Sequence, residues 1–350
     1  MEWKDKVAVV TGAGGTLCSE IAKDLAQKGM KVVLIGRTAA KLEKPASAIQ
    51  TAGGICQIEA CDVTDEAAMQ HITDRVGSEW GPCKVLVNGA GGNNIKAMTT
   101  TFRYDPLEIS PEKPKDMKGF FDLDMEYFNS VLKTNTIGTV IPCRVFGRQM
   151  AQNGGGSILN FASMNTYGPL TRVAAYAMSK AAIANFTQWL AEYFAPAGIR
   201  VNAVAPGFFV NERSVKYLCT PDGGLSQRGE NVMRRTPMKR FGQPEDLLGC
   251  VEWLLDDEKA AFVTGITIPG RRIPGLRRSL IMKIGLMLPV KPNLQWQLAS
   301  QMGVKYAVTK AAPDLSGLED PSDYAVLKMV RDRFSDAGFE LYALEGDEFD

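Results

Sequence analysis

The sequence lacks the features that are typical of membrane proteins, nucleic-acid-binding proteins and proteins with a structural metal ion. No apolar run approaches the ~20 residues that a transmembrane helix needs. The net charge is only +1, from 40 basic and 39 acidic residues, which gives no general attraction to nucleic acid or to an anionic surface. His71 is the only histidine and has no partner motif, so we expect neither a metal site nor a catalytic histidine.

The number and spacing of the cysteines do not fit a disulfide framework. The seven cysteines include no Cys-x-x-Cys pair: Cys18, Cys56, Cys61, Cys83, Cys143, Cys219 and Cys250. An odd number of unpaired thiols fits a reduced compartment. The N-terminal text MEWKDKVAVVTG runs directly into a strand-like segment, without the basic and apolar regions of a secretory signal. We therefore expect a cytoplasmic protein.

Short β-branched runs alternate with helical patterns over most of the chain. The strand-like runs are residues 6–12, 31–36, 55–63, 84–92, 156–164, 199–207 and 263–269. Amphipathic patterns at 18–29 and 38–52, and further helical spacers, separate them. This order predicts a doubly wound α/β (Rossmann) fold, with helices on both faces of a parallel sheet and ligands at the carboxyl ends of the strands.

Two segments interrupt the rhythm. Residues 93–120 are polar and contain three prolines, so we interpret them as a long loop at the ligand end of the sheet. Residues 208–240 follow a strand, and we interpret them as a segment that covers the substrate.

Chemistry-bearing residues follow several of the predicted strands. The turn TGAGGTLC (11–18) lies between a strand and a helix, where backbone amides and the helix N-terminus can bind a pyrophosphate. Tyr176 and Lys180 form an i,i+4 pair, in which an ammonium group beside a phenol favours the phenolate. Ser163 ends a strand 13 residues before Tyr176, and Asn135 lies further back. Taken together, these four side chains indicate a catalytic site beside a nucleotide.

From about residue 3 to residue 268 the chain resembles the short-chain dehydrogenase/reductase family. The matches occur in the family's order: the glycine turn, CDVTD (61–65), NGAGG (88–92), Asn135, Ser163, Tyr176 with Lys180, and Pro206-Gly207. The resemblance implies that Tyr176 is the general acid/base and that Ser163 orients the carbonyl. It also implies that Lys180 holds the nicotinamide ribose and biases Tyr176, while Asn135 supports a water-linked proton relay.

The resemblance further implies a nicotinamide dinucleotide, NAD or NADP, and a homo-oligomer, dimeric or tetrameric. The residues expected to bind the cofactor are Thr11, Gly12, Gly14, Gly15, Thr16, Leu17, Arg37, Asp62, Val63, Asn88, Gly89, Ala90, Tyr176, Lys180, Pro206, Gly207 and Phe209. Asp62 would meet the adenine. Thr16 and Cys18 stand where the family has glycine, and Asn211 replaces the threonine that usually follows Pro-Gly.

Arg37 directs the choice between the two cofactors. It follows the second strand, where an acidic residue would accept hydrogen bonds from the adenosine ribose and repel a 2′-phosphate. A guanidinium suits a phosphate, so the sequence favours NADP(H). The alternative is that Arg37 stacks on the adenine.

Longer matches narrow the resemblance to a sugar-acid branch of the family, the D-mannonate oxidoreductases or fructuronate reductases. They are NGAGGNN, the segment from SMNTYGPL to LAEYFA, IRVNAVAPGFF and TPMKRFGQPEDLLG. The branch implies reversible hydride transfer between nicotinamide and the C5 carbonyl of D-fructuronate, giving D-mannonate. Asn93 and Arg172 are the preferred candidates for the substrate carboxylate, ahead of Asn94, Lys96 and Arg213.

The C-terminal part departs from this family. Gly-Arg-Arg-Ile-Pro-Gly (270–275) stands where Val-Asp-Gly-Gly-Phe would follow the last strand. From Met282 the text resembles the N-terminal start of D-mannonate dehydratase, a metal-dependent TIM-barrel enzyme of the same sugar-acid pathway. We therefore expect a dehydrogenase domain (1–269), a basic seam (270–281) produced by a frame change, and a truncated TIM-barrel-like βα fragment (282–350) with about two βα units. A true gene fusion is the alternative.

Two other functions remain open at this point. One keeps the family and changes the substrate to another keto-sugar acid or a polyol. The other is a non-catalytic nucleotide-binding remnant, impaired by the aberrant C-terminus.

Overall fold

The computed structural model describes residues 3–168, 170–209, 215–270, 285–289, 291–301, 304–310 and 324–345. The chain divides into two compact units, Met1–Ile273 and Pro274–Asp350. The four arginines of the expected seam lie outside the described residues, as do Asn211 and Arg213.

A seven-stranded sheet forms the centre of the first unit, and every neighbouring pair of its strands is parallel. The strand order is β3-β2-β1-β4-β5-β6-β7. The strands are β1 Val7–Thr11, β2 Lys31–Gly36, β3 Ile55–Ala60, β4 Cys83–Asn88, β5 Gly156–Phe161, β6 Ile199–Ala205 and β7 Thr267–Pro269. The prediction of a Rossmann-type parallel sheet is confirmed.

Helices cover both faces of this sheet. They are α1 Thr16–Gln27, α2 Ala39–Thr51, α3 Glu66–Trp80, α4 Met125–Gln152, α5 Ala174–Phe194, α6 Val215–Leu218, α7 Gln227–Arg235 and α8 Leu248–Leu255. Because successive strand residues point to opposite faces, Ala8 and Val10 pack with α1, α2 and α8. Val7 and Val9 pack on the other face with α3, α4 and α5. The buried strands are therefore apolar on both faces, as parallel sheets require.

The strand order reverses between β1 and β4, and the turns that follow these two strands touch. Gly12 has a left-handed φ of 66°. A Cβ there would lie 2.7 Å from the Gly89 carbonyl oxygen, so this close approach requires glycine. Such a reversal point opens a crevice at the carboxyl ends of the strands, where this class of fold binds its ligands.

The predicted loop after β4 consists of three short 3-10 turns, Ile95–Ala97, Pro106–Ile109 and Phe120–Asp122. Its central carboxylate, Glu108, is buried. One Glu108 oxygen accepts from the Thr101 hydroxyl at 3.2 Å, and the other accepts from the Phe120 amide at 3.1 Å. Neutral donors therefore tie both halves of the loop to one buried side chain.

The second unit has a parallel sheet of its own, in the order β10-β9-β8. Its elements are β8 Gly285–Met287, α9 Leu294–Gln301, β9 Tyr306–Lys310, α10 Tyr324–Asp336 and β10 Glu340–Glu345. Trp296 stacks on Phe334 with ring centroids 4.2 Å apart and donates its indole N–H to the Pro289 carbonyl. The described part of this unit thus has three strands in sequential order and a small core. The sequence predicted about two βα units, which would contain only two strands.

Two isoleucines on neighbouring strands test the burial pattern of the first unit. Ile35 on β2 is fully buried, whereas Ile55 on β3 is 51% exposed. We expect Ile35→Ala to lower the free energy of unfolding by about 2–5 kcal/mol, because it leaves a cavity between sheet and helices. Ile55→Ala, the matched control, should change it by about 0.5 kcal/mol or less. Equal losses in urea unfolding would contradict this arrangement of the sheet.

Candidate active site

The carboxyl ends of the central strands bring together the residues that the sequence singled out. Thr11 ends β1, Asn88 ends β4, and Ser163 follows β5 by two residues. Pro206 and Gly207 directly follow β6. Since all these strands are parallel, these residues line one edge of the sheet.

The glycine turn after β1 leads into the N-terminus of α1. Gly15 is the N-cap residue, and no side chain caps the helix within the described part of the chain. The first turn, which begins with Thr16 and Leu17, contains no acidic residue. The positive end of the helix is therefore available to an anion, and a pyrophosphate fits such a terminus. Gly14 packs against Lys41 of α2, where a Cβ would lie 2.9 Å from the Lys41 Cβ.

Thr11 links the two turns at the reversal point. Its hydroxyl donates to the Val87 carbonyl at 3.4 Å and accepts from the Ala90 amide at 3.2 Å. At Gly89, a Cβ would overlap the Sγ of Cys18 on α1. Cys18 thus occupies the space that any larger residue at position 89 would need.

Tyr176 on α5 lies beside Ser163, which follows β5. Burial raises the pKa of Tyr176, and the side-chain hydrogen bond with Ser163 offsets part of that rise. The sequence predicted instead that Lys180 would lower this pKa. The Lys180 Nζ lies 5.7 Å from the centre of the Tyr176 ring, but desolvation of the phenolate sets the direction of the pKa shift.

Lys180 is buried, and its ammonium group donates to the Phe161 carbonyl at 2.6 Å. Burial lowers the pKa of Lys180 to about 8, because the charged form loses its hydration. Burial likewise raises the pKa of the Cys18 thiol to about 12, although the charge of Lys180 acts in the opposite direction.

Asn135 is fully buried in α4 and clamps the turn after β4. Its amide nitrogen donates to the Gly92 carbonyl at 3.0 Å, and its amide oxygen accepts from the Gly92 N–H at 2.8 Å. The same nitrogen donates to the Ser179 hydroxyl at 2.8 Å, and Ser179 in turn donates to the Tyr176 carbonyl. Asn135 therefore links the turn after β4 to the helix that carries Tyr176.

The residues expected around the adenosine lie after β2 and β3. Burial raises the pKa of Asp62, but hydrogen bonds from the Thr64 amide and hydroxyl and the charges of Arg37 and Lys133 leave it lowered overall. Arg37 is exposed, so its guanidinium can reach a ligand. Val63 is buried against Gly138 of α4, where a Cβ would lie 2.7 Å from a Val63 methyl group.

The two preferred substrate residues are held differently. Asn93 is exposed, and its side chain accepts from the Asn94 amide. Arg172 has a left-handed φ of 77°, its Nε donates to the Thr99 carbonyl at 2.8 Å, and its guanidinium lies 5.3 Å from the Phe102 ring centre. Arg172 therefore fastens the loop after β4 to the start of α5, four residues before Tyr176.

The chain after β6 continues past the site. The Pro206 carbonyl accepts from the Met164 amide at 3.4 Å, next to Ser163. A Cβ at Gly270 would lie 3.0 Å from the Gly207 nitrogen. Phe209, in the segment expected to cover the substrate, forms a β-bridge with Gly242, two residues beyond the end of that segment.

Sequence reasoning missed several polar residues beneath the site, namely Ser179, Asn160 and Thr187, all of them buried. Asn160 lies inside an apolar strand, and Thr187 lies on the buried face of a helix. An isolated polar residue in such a place needs a hydrogen-bond partner, which is the signal that could have identified them.

The model of the family described as short chain dehydrogenase matches residues 6–217. The chain belongs to the short-chain dehydrogenase family, which consists of oxidoreductases. The matched residues include the glycine turn after β1, the turn after β4 and all four candidate catalytic residues.

Similar proteins lie along the same part of the chain. An uncharacterized oxidoreductase of Bacillus subtilis, UxuB, is 41% identical over 264 residues, 75% of this chain and 92% of its own. A crystal structure of a protein from Haemophilus influenzae, described provisionally as a D-mannonate oxidoreductase with bound NAD, is 37% identical with a TM-score of 0.72 and covers 77% of this chain and 94% of its own. NAD+-bound xylitol dehydrogenase is 29% identical with a TM-score of 0.64, over 77% of this chain and 98% of its own.

None of the helices in the described residues is long and apolar enough to cross a membrane. The described residues also contain no group of three or more histidine, cysteine or carboxylate side chains placed to hold a metal ion. His71 is exposed on α3.

The buried ammonium of Lys180 makes stability depend on pH. Its pKa is about 8 in the folded chain against an ordinary 10.5, so between these values the unfolded chain binds more protons and stability rises with pH. We expect the wild-type protein to gain about 3 kcal/mol in unfolding free energy relative to Lys180→Met from pH 8 to 10.5. Lys44→Met, at an exposed lysine of α2, is the control and should run parallel to wild type. If the unfolding free energies of Lys180→Met and wild type change equally with pH, the ammonium group of Lys180 is not desolvated.

The fit between Gly89 and Cys18 predicts a coupled pair of substitutions. Gly89→Ala should destabilise the protein by about 1–3 kcal/mol, because the new methyl group overlaps the Cys18 sulfur. Adding Cys18→Ala should recover most of that loss, since the Cys18 Cβ lies 3.6 Å from the new methyl position. Gly249→Ala in α8 is the control, because a Cβ there meets nothing within 4 Å. Additive losses in a double-mutant cycle would rule out the direct contact.

Proposed function

We propose that this protein is an NAD(P)-dependent reductase that interconverts D-fructuronate and D-mannonate by hydride transfer at C5. The observation that carries the proposal is the placement of Ser163, at the carboxyl end of β5, beside Tyr176, with the buried Lys180 one helical turn further along α5. The similarity to the H. influenzae protein described provisionally as a D-mannonate oxidoreductase supports the substrate.

The four catalytic residues have complementary roles in this proposal. The Ser163 hydroxyl orients the substrate carbonyl, and the Tyr176 hydroxyl donates a proton to its oxygen during reduction. In the reverse direction Tyr176 accepts that proton, and an ammonium group at Lys180 favours its ionised form. Asn135 holds the turn after β4 and, through Ser179, the helix that carries Tyr176.

The nicotinamide cofactor would supply or accept the hydride when bound. The residues proposed to hold it are those predicted from the sequence. Thr11, Gly12, Gly14, Gly15, Thr16 and Leu17 would hold the pyrophosphate at the start of α1. Arg37, Asp62 and Val63 would hold the adenosine, and Asn88, Gly89, Ala90, Pro206, Gly207 and Phe209, with Lys180 and Tyr176, would hold the nicotinamide half. The uncapped helix N-terminus supports this placement.

Arg37 keeps NADP(H) as our predicted preference, because its exposed guanidinium suits a 2′-phosphate. The comparisons do not support that preference, since the two solved structures described above bind NAD or NAD+. Asp62, beside Arg37, would partly neutralise the guanidinium and so weaken the discrimination.

For the substrate carboxylate we propose Arg172 together with Asn93. Arg172 uses its Nε to hold Thr99, which leaves the terminal nitrogens of the guanidinium for a carboxylate. The bond to Thr99 and the contact with Phe102 limit the rotamers of Arg172 and prepare it for such an anion.

The second unit stands apart from this chemistry in our proposal. We propose that residues 1–269 carry the activity, residues 270–281 are a seam, and residues 282–350 are related to the first βα units of the D-mannonate dehydratases. Parallel strands in sequential order, β8, β9 and β10, support the last point, because a TIM barrel is built from that arrangement. A dehydratase of that kind would consume the product of the proposed reaction.

A direct assay tests the function. We expect the full chain to oxidise NADPH or NADH, each tested separately, when D-fructuronate is added, with absorbance at the nicotinamide band as the measurement. Tyr176→Phe should lower kcat by about 100-fold or more, because it removes the proton donor. Tyr193→Phe, the same change at an exposed position of the same helix, is the control and should keep wild-type rates.

The outcomes separate the alternatives. Turnover of xylitol-like polyols or other keto-sugar acids, without turnover of D-fructuronate, would replace the proposed substrate. Cofactor binding without any turnover would favour the non-catalytic reading. In that case, replacing the chain after Pro269 by Val-Asp-Gly-Gly-Phe should restore activity if the seam is the cause.

A further inference from the structure

A chain of buried side-chain hydrogen bonds runs beneath the site from β4 through β5 to α5. The Asn88 amide nitrogen donates to the Asn160 amide oxygen at 3.0 Å. The Asn160 amide nitrogen donates to the Thr187 hydroxyl at 3.0 Å, and this hydroxyl donates to the Ile183 carbonyl at 2.8 Å. Asn160 and Thr187 are fully buried, and Asn88 is 2% exposed. Each of these donors therefore has a defined acceptor inside the protein.

These residues lie close in sequence to the catalytic ones. Asn160 lies on β5, and Ser163 follows three residues later, just after that strand ends. Asn88 ends β4. Thr187 lies on α5 two turns after Lys180. A rigid strand and a rigid helix thus connect the buried pair to Ser163 on one side and to Tyr176 and Lys180 on the other.

Polar contacts fix the position of α5 along its axis more strictly than apolar packing can. Ile183 and Leu190 are buried, but their burial is not directional. Two side-chain hydrogen bonds join α5 to β5, Lys180 to the Phe161 carbonyl and Asn160 to Thr187. A slip of α5 by one residue would move Tyr176 by about 1.5 Å and would break both bonds.

We propose that the Asn160–Thr187 pair is a positioning element that sets the height of α5 against β5, and thereby the alignment of Tyr176 and Lys180 with Ser163. Neither residue touches substrate or cofactor in this arrangement, and both act through α5. The catalytic consequence rests on the proposed function, whereas the effect on cofactor binding through Lys180 rests only on family membership.

The test compares Thr187→Val with two other variants of the full-length protein. Valine keeps the shape of threonine but removes the acceptor for Asn160. Thr187→Ser restores the hydroxyl. Thr73→Val is the matched control, because Thr73 is a buried helical threonine whose hydroxyl donates to the carbonyl four residues earlier at 2.8 Å, but it lies on α3, away from the site. Melting temperature, the Kd of NADH and of NADPH by fluorescence, and kcat with D-fructuronate are measured for each.

We expect Thr187→Val to weaken cofactor binding and to lower kcat, each by about tenfold or more, because a displacement of about 1 Å is costly in a preorganised site. Thr187→Ser should keep its cofactor Kd and its kcat within about twofold of wild type. Thr73→Val should also keep both within about twofold, even if its melting temperature falls as far as that of Thr187→Val. The proposal is wrong if Thr187→Val and Thr73→Val behave alike, or if serine fails to rescue. If wild type does not turn over D-fructuronate, the proposed function fails for this chain, and the Kd series still decides the positioning role.

Discussion

The ammonium group of Lys180 is buried, and within the described part of the chain it donates to one backbone carbonyl, that of Phe161. A buried charge is costly unless oxygen atoms surround it, so the helix that carries it must stay close to the sheet. Much of the first unit serves that requirement. The parallel sheet presents the end of β5 to α5, the apolar faces of both press them together, and Asn160 with Thr187 limits their sliding. Tyr176 and Ser163 meet as a consequence of this arrangement.

The fold of the first unit could be predicted because its signals are local and repeated. Buried parallel strands must be apolar on both faces, so they stand out in the sequence as short apolar runs. Amphipathic segments alternate with these runs. Strand ends were less accurate. The prediction extended β4 to residue 92, whereas the strand ends at Asn88, because the glycines that follow form the turn against Gly12. Pro45 lies inside α2, an interruption that burial against the sheet tolerates.

The candidate site could be predicted only as far as its residues stand in a recognisable order. Their electrostatics depend on burial, which a spacing of four residues does not reveal. The Tyr176–Lys180 spacing therefore suggested a lowered pKa for the phenol, whereas desolvation raises it. Arg172 is a similar case. Its charge marked it as a carboxylate ligand, but its left-handed backbone and its bond to Thr99, 73 residues away in sequence, depend on the tertiary fold.

The close fit of Cys18 and Gly89 has a consequence for how such a pair can change over time. A side chain at position 89 and the sulfur of Cys18 would occupy the same space, so a chain that carries both loses stability. A lineage that exchanges one for the other therefore loses least stability by passing through a chain that is small at both positions. The order of the two substitutions is thus constrained by packing, independently of any selection on catalysis.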